Sequence, residues 1–444
     1  MRKNMRLYKY ICTLFFLALS IQIANAQEDN TLDIEGAISK TLENNFDISL
    51  SKNNVKSTNI DAVMANAGYL PTVSANASYE YSSSNTNLSF NDPNQPEINA
   101  NGAVTENINA GIMVNYNIYS GGRRKHTFGK LKNTAYLSEL QLKQQMEQSV
   151  FTAVTQYLNA LRLKESVRIS ATSVEISRSR YERASSNYAF GAMSKLELLN
   201  AEVDLRNDST NYVQAQLDYK KSLRDLNNAM GLPPDSTYAL SSDFTFDTDL
   251  LADSLLLKAL EQNTAYLLAR NQVRSAELDE KIASSDYLPS LDLSGGYTYS
   301  DASYDANFIR SQSSLGWNAG VTLSYNIFDA GTRKRAREKA EIQIVNQRVA
   351  VNQTINTLKT DLLKAYDDYQ SSLSLITLLE ENVETAILNY ERSAEAFSTG
   401  QITGIELREA QLNLLNAQFN VSAQRIQAKL AEVNLHFYSG TLVE

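Results

Sequence analysis

Four stretches of the chain alternate apolar and polar residues with a period of two. Val73, Ala75, Ala77, Tyr79 and Tyr81 share one side of the first, opposite Thr72, Ser74, Asn76, Ser78 and Glu80. In the second, Ile108, Ala110, Ile112, Val114, Tyr116 and Ile118 alternate with Asn107, Asn109, Asn115 and Asn117. Leu291, Leu293, Tyr297 and Tyr299 mark the third, and Trp317, Ala319, Val321, Leu323, Tyr325 and Ile327 the fourth. Successive side chains of a strand point to opposite faces, so these patterns predict two strand pairs, 71–82 with 107–119 and 289–300 with 316–328.

Elsewhere the period is helical. Apolar residues step by four and three in Val150, Val154, Tyr157 and Leu161, and again in Val383, Ile387, Tyr390, Ala394 and Phe397, which is the spacing of a coiled-coil seam. Residues 123–189 and 333–398 contain no proline, and their single glycine is Gly129. Each predicts one uninterrupted helix that can reach on the order of 100 Å at 1.5 Å per residue. Gly191 and Gly400 then turn the chain, and Ser194 and Thr403 stand where an N-cap belongs, so helices 194–229 and 403–438 fold back there.

These elements occur twice in the same order. Tyr181-Glu182-Arg183 returns as Tyr390-Glu391-Arg392, Tyr116-Asn117-Ile118 as Tyr325-Asn326-Ile327 and Gly231 as Gly440, all displaced by 209 positions. Upstream, Tyr69-Leu70-Pro71 matches Tyr287-Leu288-Pro289 at a displacement of 218. The chain is thus a duplicated protomer: a first repeat at 27–231, a linker at 232–249 that holds Pro233 and Pro234, and a second repeat at 250–444. Each repeat reads helix, strand pair, long helix and returning helix. The polar stretches Ser82 to Glu106 and Asp301 to Leu315, unequal in length, are the expected loops within the strand pairs.

The amino terminus changes the setting of this pattern. Arg2, Lys3, Arg6 and Lys9 precede an apolar run from Ile11 to Ile23 and then Ala24-Asn25-Ala26, which predicts a secretory signal peptide at 1–26. Its removal takes the only cysteine, Cys12, and shifts the formal charge of −9 to about −13, a field that opposes nucleic acid. No later segment has the run of apolar residues that a spanning helix needs. Strands of about ten residues, apolar outward and polar inward, instead suit a transmembrane β-barrel in contact with outer-membrane lipid. Four strands do not close a barrel, and an open edge in hydrocarbon costs several kcal/mol per unpaired group, so several protomers must share one.

Catalytic constellations are absent from the sequence. The two histidines, His126 and His436, have no cysteine beside them, and Gly121-Gly122 is too short to cradle a phosphate. The expectation is a protein that is not an enzyme and holds no metal or cofactor. Charged residues along the long helices are expected at solvated flanking positions.

Asn-Ile-Tyr-Ser-Gly-Gly at 117–122, Asn-Ile-Phe-Asp-Ala-Gly at 326–331, the doubled Tyr-Leu-Pro and the doubled turns resemble the TolC-type outer-membrane efflux family over essentially the whole chain. That resemblance implies a mainly α protomer that trimerises, a shared twelve-stranded barrel in the cell outer membrane, and an α-helical tunnel in the periplasm. It implies the passive exit duct of a tripartite efflux pump, with a periplasmic adaptor protein and an inner-membrane pump of RND, ABC or MFS type as partners. The alternatives are the exit duct of a type I polypeptide secretion system and a non-transporting periplasmic coiled-coil scaffold, which would not need the strands. The resemblance further places adaptor contacts at Gly191, Ala192, Met193, Ser194, Gly400, Gln401, Ile402 and Thr403, and an acidic ring at the tunnel entrance from Glu406 and Glu409. Some members of that family hold the entrance shut with Tyr, Arg and Asp contacts between neighbouring helices. Here Phe397 and Ile402 replace the Tyr and Arg while Glu197 keeps an acid, so entrance packing is expected around Phe397 and Glu197.

Overall fold

A computed structural model describes residues 31–92, 94–247, 249–307 and 309–443. The segment expected to be the signal peptide, 1–26, lies outside the described residues. In chain order the elements are β1 (Thr31–Leu32), α1 (Ile34–Asn44), α2 (Phe46–Asp61), β2 (Thr72–Leu88), β3 (Ile98–Ser120), α3 (Arg123–Ala189), α4 (Lys195–Met230), β4 (Ala239–Leu240), α5 (Ala252–Gln262), α6 (Thr264–Ser285), β5 (Ser290–Tyr304), β6 (Ser311–Ser324), α7 (Thr332–Ser398) and α8 (Gly404–Ser439). The duplication is visible in their lengths: α3 and α7 have 67 residues each, and α4 and α8 have 36 each. Among the described residues no helix is long and apolar enough to cross a membrane.

The chain forms two compact units. One takes its described residues from Met1–Lys52, Leu142–Tyr266 and Ile355–Glu444, the other from Asn53–Gln141 and Leu267–Thr354. Each unit draws on both repeats, because the long helices α3 and α7 contribute to both.

The second unit holds a four-stranded antiparallel sheet in the order β2-β3-β5-β6. Its register places the apolar residues of all four strands on one face. Ala75 pairs with Ile112, Ile112 with Tyr297 and Tyr297 with Trp317, while Ala77, Ala110, Tyr299 and Leu315 form the next such row. The rows between them are polar or small, as in Ser78, Asn109, Ser300 and Ser314. The two edges, β2 and β6, run antiparallel to each other, so a copy of the sheet can continue it edge to edge without breaking the pattern.

Three boundaries differ from expectation. The first strand pair is longer than 71–82 and 107–119: β2 continues to Leu88 and β3 begins at Ile98, leaving 89–97 as the connection instead of Ser82 to Glu106. Serines, threonines and asparagines hide the alternation there, but the ladder bonds are backbone bonds and need no apolar face. The second pair likewise runs to Tyr304 and resumes at Ser311. At its other end β6 stops at Ser324, short of 328, and leaves Ile327 and Phe328 exposed. The equivalent part of β3 stays paired with β5 through a register shift to the Ser120–Ser290 pair, whereas the ladder between β5 and β6 already ends at the Ser290–Ser324 pair.

The first unit is built around the middle of α3. Val150, Val154, Tyr157 and Leu161 are buried with Leu158, Leu226, Met230, Leu240 and Val433, and a second cluster joins Leu255, Leu358, Leu362, Tyr369 and Leu435. The linker is part of this packing: β4 pairs in parallel with β1, and the Tyr157 hydroxyl lies 2.8 Å from the carbonyl of Leu32 and 2.7 Å from that of Ser241. One burial of a tyrosine thus ties three chain segments together.

Each repeat begins with two helices where the sequence predicted one. Asn45 leaves helical geometry (φ −62°, ψ 130°), and its Oδ1 accepts from the N–H groups of Asp47 and Ile48 to start α2. Its Nδ2 donates to the Ala229 carbonyl at 2.9 Å, and in the second repeat Asn263 Nδ2 donates to the Tyr438 carbonyl at 3.0 Å. An asparagine caps well and competes with the helix backbone, which breaks a segment whose periodicity alone reads as continuous. The approach is close: a side chain on Gly231 would put Cβ 2.4 Å from the Asn44 carbonyl oxygen, and Gly231 (φ +73°) and Gly440 (φ +79°) end α4 and α8 in the left-handed region.

Candidate functional site

The two turns at the ends of α3 and α7 are nearly identical in construction. Gly191 and Gly400 adopt φ +73° and +77°, with open space where a Cβ would stand. Ser194 Oγ then accepts from the Glu197 N–H at 3.2 Å, and Glu197 Oε2 accepts from the Ser194 N–H at 3.0 Å. Thr403 and Glu406 repeat this reciprocal pair at 3.3 and 2.7 Å. Both are capping boxes, which satisfy orphan N–H donors of the first turn. The backbone N–H and hydroxyl of Thr403 hold the exposed Glu406 carboxyl below the usual carboxylate range.

Glu197 and Glu406, predicted for different tasks, therefore occupy the same position in the two repeats. Glu409 is exposed one turn further along α8. Phe397 is half-buried, with its Cε2 3.7 Å from where a Gly404 Cβ would lie, so the ring covers the start of α8. Its counterpart Tyr188 lies under the Lys195 ammonium at 5.2 Å. Met193 packs on Ala184, Leu198 and Ala201. Ala192 and Gln401 are exposed, Ile402 is half-buried, and Leu196 and Ile405, equivalent residues in the two first turns, are both exposed.

Just past the turns lies a polar cluster that the sequence reading missed. Arg408 of α8 forms a two-pronged contact with Asp208 of α4, with Nη1–Oδ2 and Nη2–Oδ1 both 2.7 Å. Ser177 of α3 donates to the same Asp208. Arg180 of α3 pairs with Asp204 at 3.2 Å and donates to the Gly404 carbonyl at 3.1 Å and to Gln411. Asp208 is 3% exposed, which departs from the expectation that charges on the helices sit at solvated flanks, and the neutral Gln411 beside it is fully buried. Burial alone would raise the Asp208 carboxyl, but hydrogen bonds from Arg408 and Ser177 outweigh it and hold the group below the usual range. The same bond keeps Arg408 firmly protonated, whereas burial lowers Arg180.

Two arginines against two aspartates leave the cluster neutral, and its geometry fixes the first turn of α8 to α3 and α4. A signal existed: Ser173, Ser177 and Arg180 share one helical face, as do Asp204 and Asp208. It has no counterpart in the other repeat, since Ala417 stands where Asp208 would and Leu199 where Arg408 would.

Comparison with known proteins adds the lineage. The sequence pattern of the outer membrane efflux protein family matches residues 37–232 and 255–441. The Outer membrane protein TolC of Vibrio cholerae is 27% identical over 194 residues, 44% of each chain, and that of Escherichia coli is 21% identical over 304 residues, 66% of this chain and 62% of that one. The chain thus matches less than two thirds of the length of these relatives. Over 93% of this chain and 86% of the other, the fold superposes on the Campylobacter jejuni CmeC outer membrane channel with a TM-score of 0.77 at 17% identity. With long paired helices, a small antiparallel sheet carrying one apolar face, and a family match across both repeats, the chain belongs to the outer membrane efflux protein family.

Proposed function

We propose that this protein is the protomer of a passive exit duct in the cell outer membrane, a homotrimer that conducts substrates received from a periplasmic adaptor and an inner-membrane pump. The observation that carries the proposal is the open four-stranded sheet with one apolar face and two antiparallel edges. Lipid covers the apolar face, and only further copies of the chain satisfy both edges. Three copies give the twelve strands that the family resemblance implies. A coiled-coil scaffold has no use for such a sheet.

The turns at Gly191–Ser194 and Gly400–Thr403, with exposed Leu196 and Ile405 beside them, are the adaptor-docking surface. Glu409, with the capping Glu406, contributes the acidic ring, a field that favours cations at the entrance. The duct carries out no catalysis. Selectivity for a particular cargo belongs to the pump, so none is assigned to these residues.

Single-particle imaging of detergent-purified protein tests this reading: a three-fold assembly with a detergent belt is expected, and a monomer or a belt-free rod would overturn it. In planar bilayers the Glu406→Gln, Glu409→Gln double variant is expected to lose cation selectivity; unchanged selectivity would remove the ring while leaving the duct.

A further inference from the structure

The outer part of the first hairpin turns its apolar side opposite to the part below it. In β2 the odd-numbered residues from Val73 to Tyr81 lie on the apolar face of the sheet, and the even-numbered ones on the polar face. That alternation continues unbroken to Leu88, because the irregularity in register puts its extra residue on β3. Ser84 pairs with Ala103, but Thr86 pairs with Ala100. The bulge is held by Asn85, whose Oδ1 accepts from the Gly102 N–H at 2.8 Å, with Gly102 at φ +71°.

One inserted residue reverses the parity of the bulged strand. Ala100 and Ile98 therefore join Thr86 and Leu88 on the side of the sheet that is polar further down, and the Asn87–Asn99 pair takes the other side. Leu88, Ile98 and Ala100 are half-buried, as is Phe90 in the connection that follows.

Among the described residues, no other strand of the sheet runs beside the outer part of this extension. β3 pairs with β5 only from Thr105, opposite Tyr304, onward, and the Asp305 N–H donates to the Val104 carbonyl at 3.0 Å, so β2 is the only strand paired with 98–103 among the described residues. Two strands standing alone are marginally stable in water, and an apolar side left in water makes them less so.

We propose that the outer hairpins of neighbouring copies pack on one another through Thr86, Leu88, Ile98 and Ala100, making an apolar constriction across the outer mouth of the barrel. This rests on the duct reading. In that reading the polar face lines the lumen, so its continuation looks toward the axis, where the other copies present the same four residues. The asparagine side then faces extracellular water.

Cys12 is the only cysteine in the sequence, so single cysteines can be placed without competing thiols in the described residues. Full-length Leu88→Cys and Asn87→Cys proteins, purified in detergent, would be oxidised with copper phenanthroline and run on non-reducing gels, with native mass measured on the same samples. Covalent dimers from Leu88→Cys and none from Asn87→Cys are expected. Should assembled trimers fail to cross-link at Leu88→Cys, cross-link equally at both sites, or link Leu88→Cys to a different polypeptide, the constriction is overturned and the duct stands. A native mass of one chain would instead sink the duct reading, and the constriction with it. As a second measure, Leu88→Ser with Ile98→Ser should speed labelling of Asn109→Cys, on the polar face below, by a bulky maleimide added from outside; an unchanged rate overturns the proposal.

Discussion

The long helices α3 and α7 have the same length and the same place in their repeats, yet they are covered differently. Along α3, Val150, Val154, Tyr157, Leu158 and Leu161 are buried, and near its end Ser177 and Arg180 join the ionic cluster. Along α7, only Leu358, Leu362, Ala365, Tyr369 and their neighbours are enclosed, while Ile342, Val345, Val349, Leu378 and Leu388 are about 60% exposed. Nothing in the local sequence separates the two; both carry apolar residues at helical spacing. The difference teaches that the chain supplies cover for one helix and leaves an apolar stripe exposed on the other, which the proposed assembly would cover with further copies.

The largest expected effect breaks the cover of α3 at the ionic cluster. Asp208→Ala leaves Arg408 without its buried partner and should cost about 3–5 kcal/mol in denaturant unfolding. The paired carboxyl titrates below its unfolded value, so this contribution is complete above about pH 4 and is lost as pH falls through the folded value. The gap between variant and parent should accordingly narrow in acid; a gap that widened would contradict the pairing.

Next comes a direct contrast of the two helices. Leu158→Ala should destabilise the fold by roughly 2–5 kcal/mol through the cavity it leaves. Leu378→Asp should keep the helical circular dichroism of the parent and abolish assembly on native gels. If Leu378→Asp assembled normally, the exposed stripe of α7 would not be an interface.

The smallest effect concerns what the repeats share. Ser194→Ala and Thr403→Ala each remove a cap and should cost about 1 kcal/mol, seen as faster amide exchange in the first turns of α4 and α8. Similar losses in both would mark the caps as common scaffolding, whereas a loss confined to Thr403→Ala would tie the capping box to the second turn alone.

Much of the fold was legible because it is local. Strand parity, the long helices, the turn glycines and the caps follow from residue spacing, and the duplication made each observation twice. The end of β6 was misread because edge strands extend only as far as a neighbour does, and the split at Asn45 because capping overrides periodicity. At the turns, Ser194 and Thr403 were legible as caps, but Glu197 and Glu406 were assigned to entrance packing and an acidic ring, and the structure shows both closing capping boxes. The ionic cluster was not, because Asp208 and Arg408 are 200 positions apart and look like ordinary surface charges until α4 and α8 are packed together.

The sequence by itself determined the elements, their doubling and the amphipathic sheet, since these depend on side-chain period and backbone preference over short distances. Only the tertiary structure decided which apolar residues are covered within one chain, where charges become buried pairs, and how the Gly102 bulge reverses the first hairpin. Burial and register are relations between segments far apart in the chain, and spacing along one segment does not contain them.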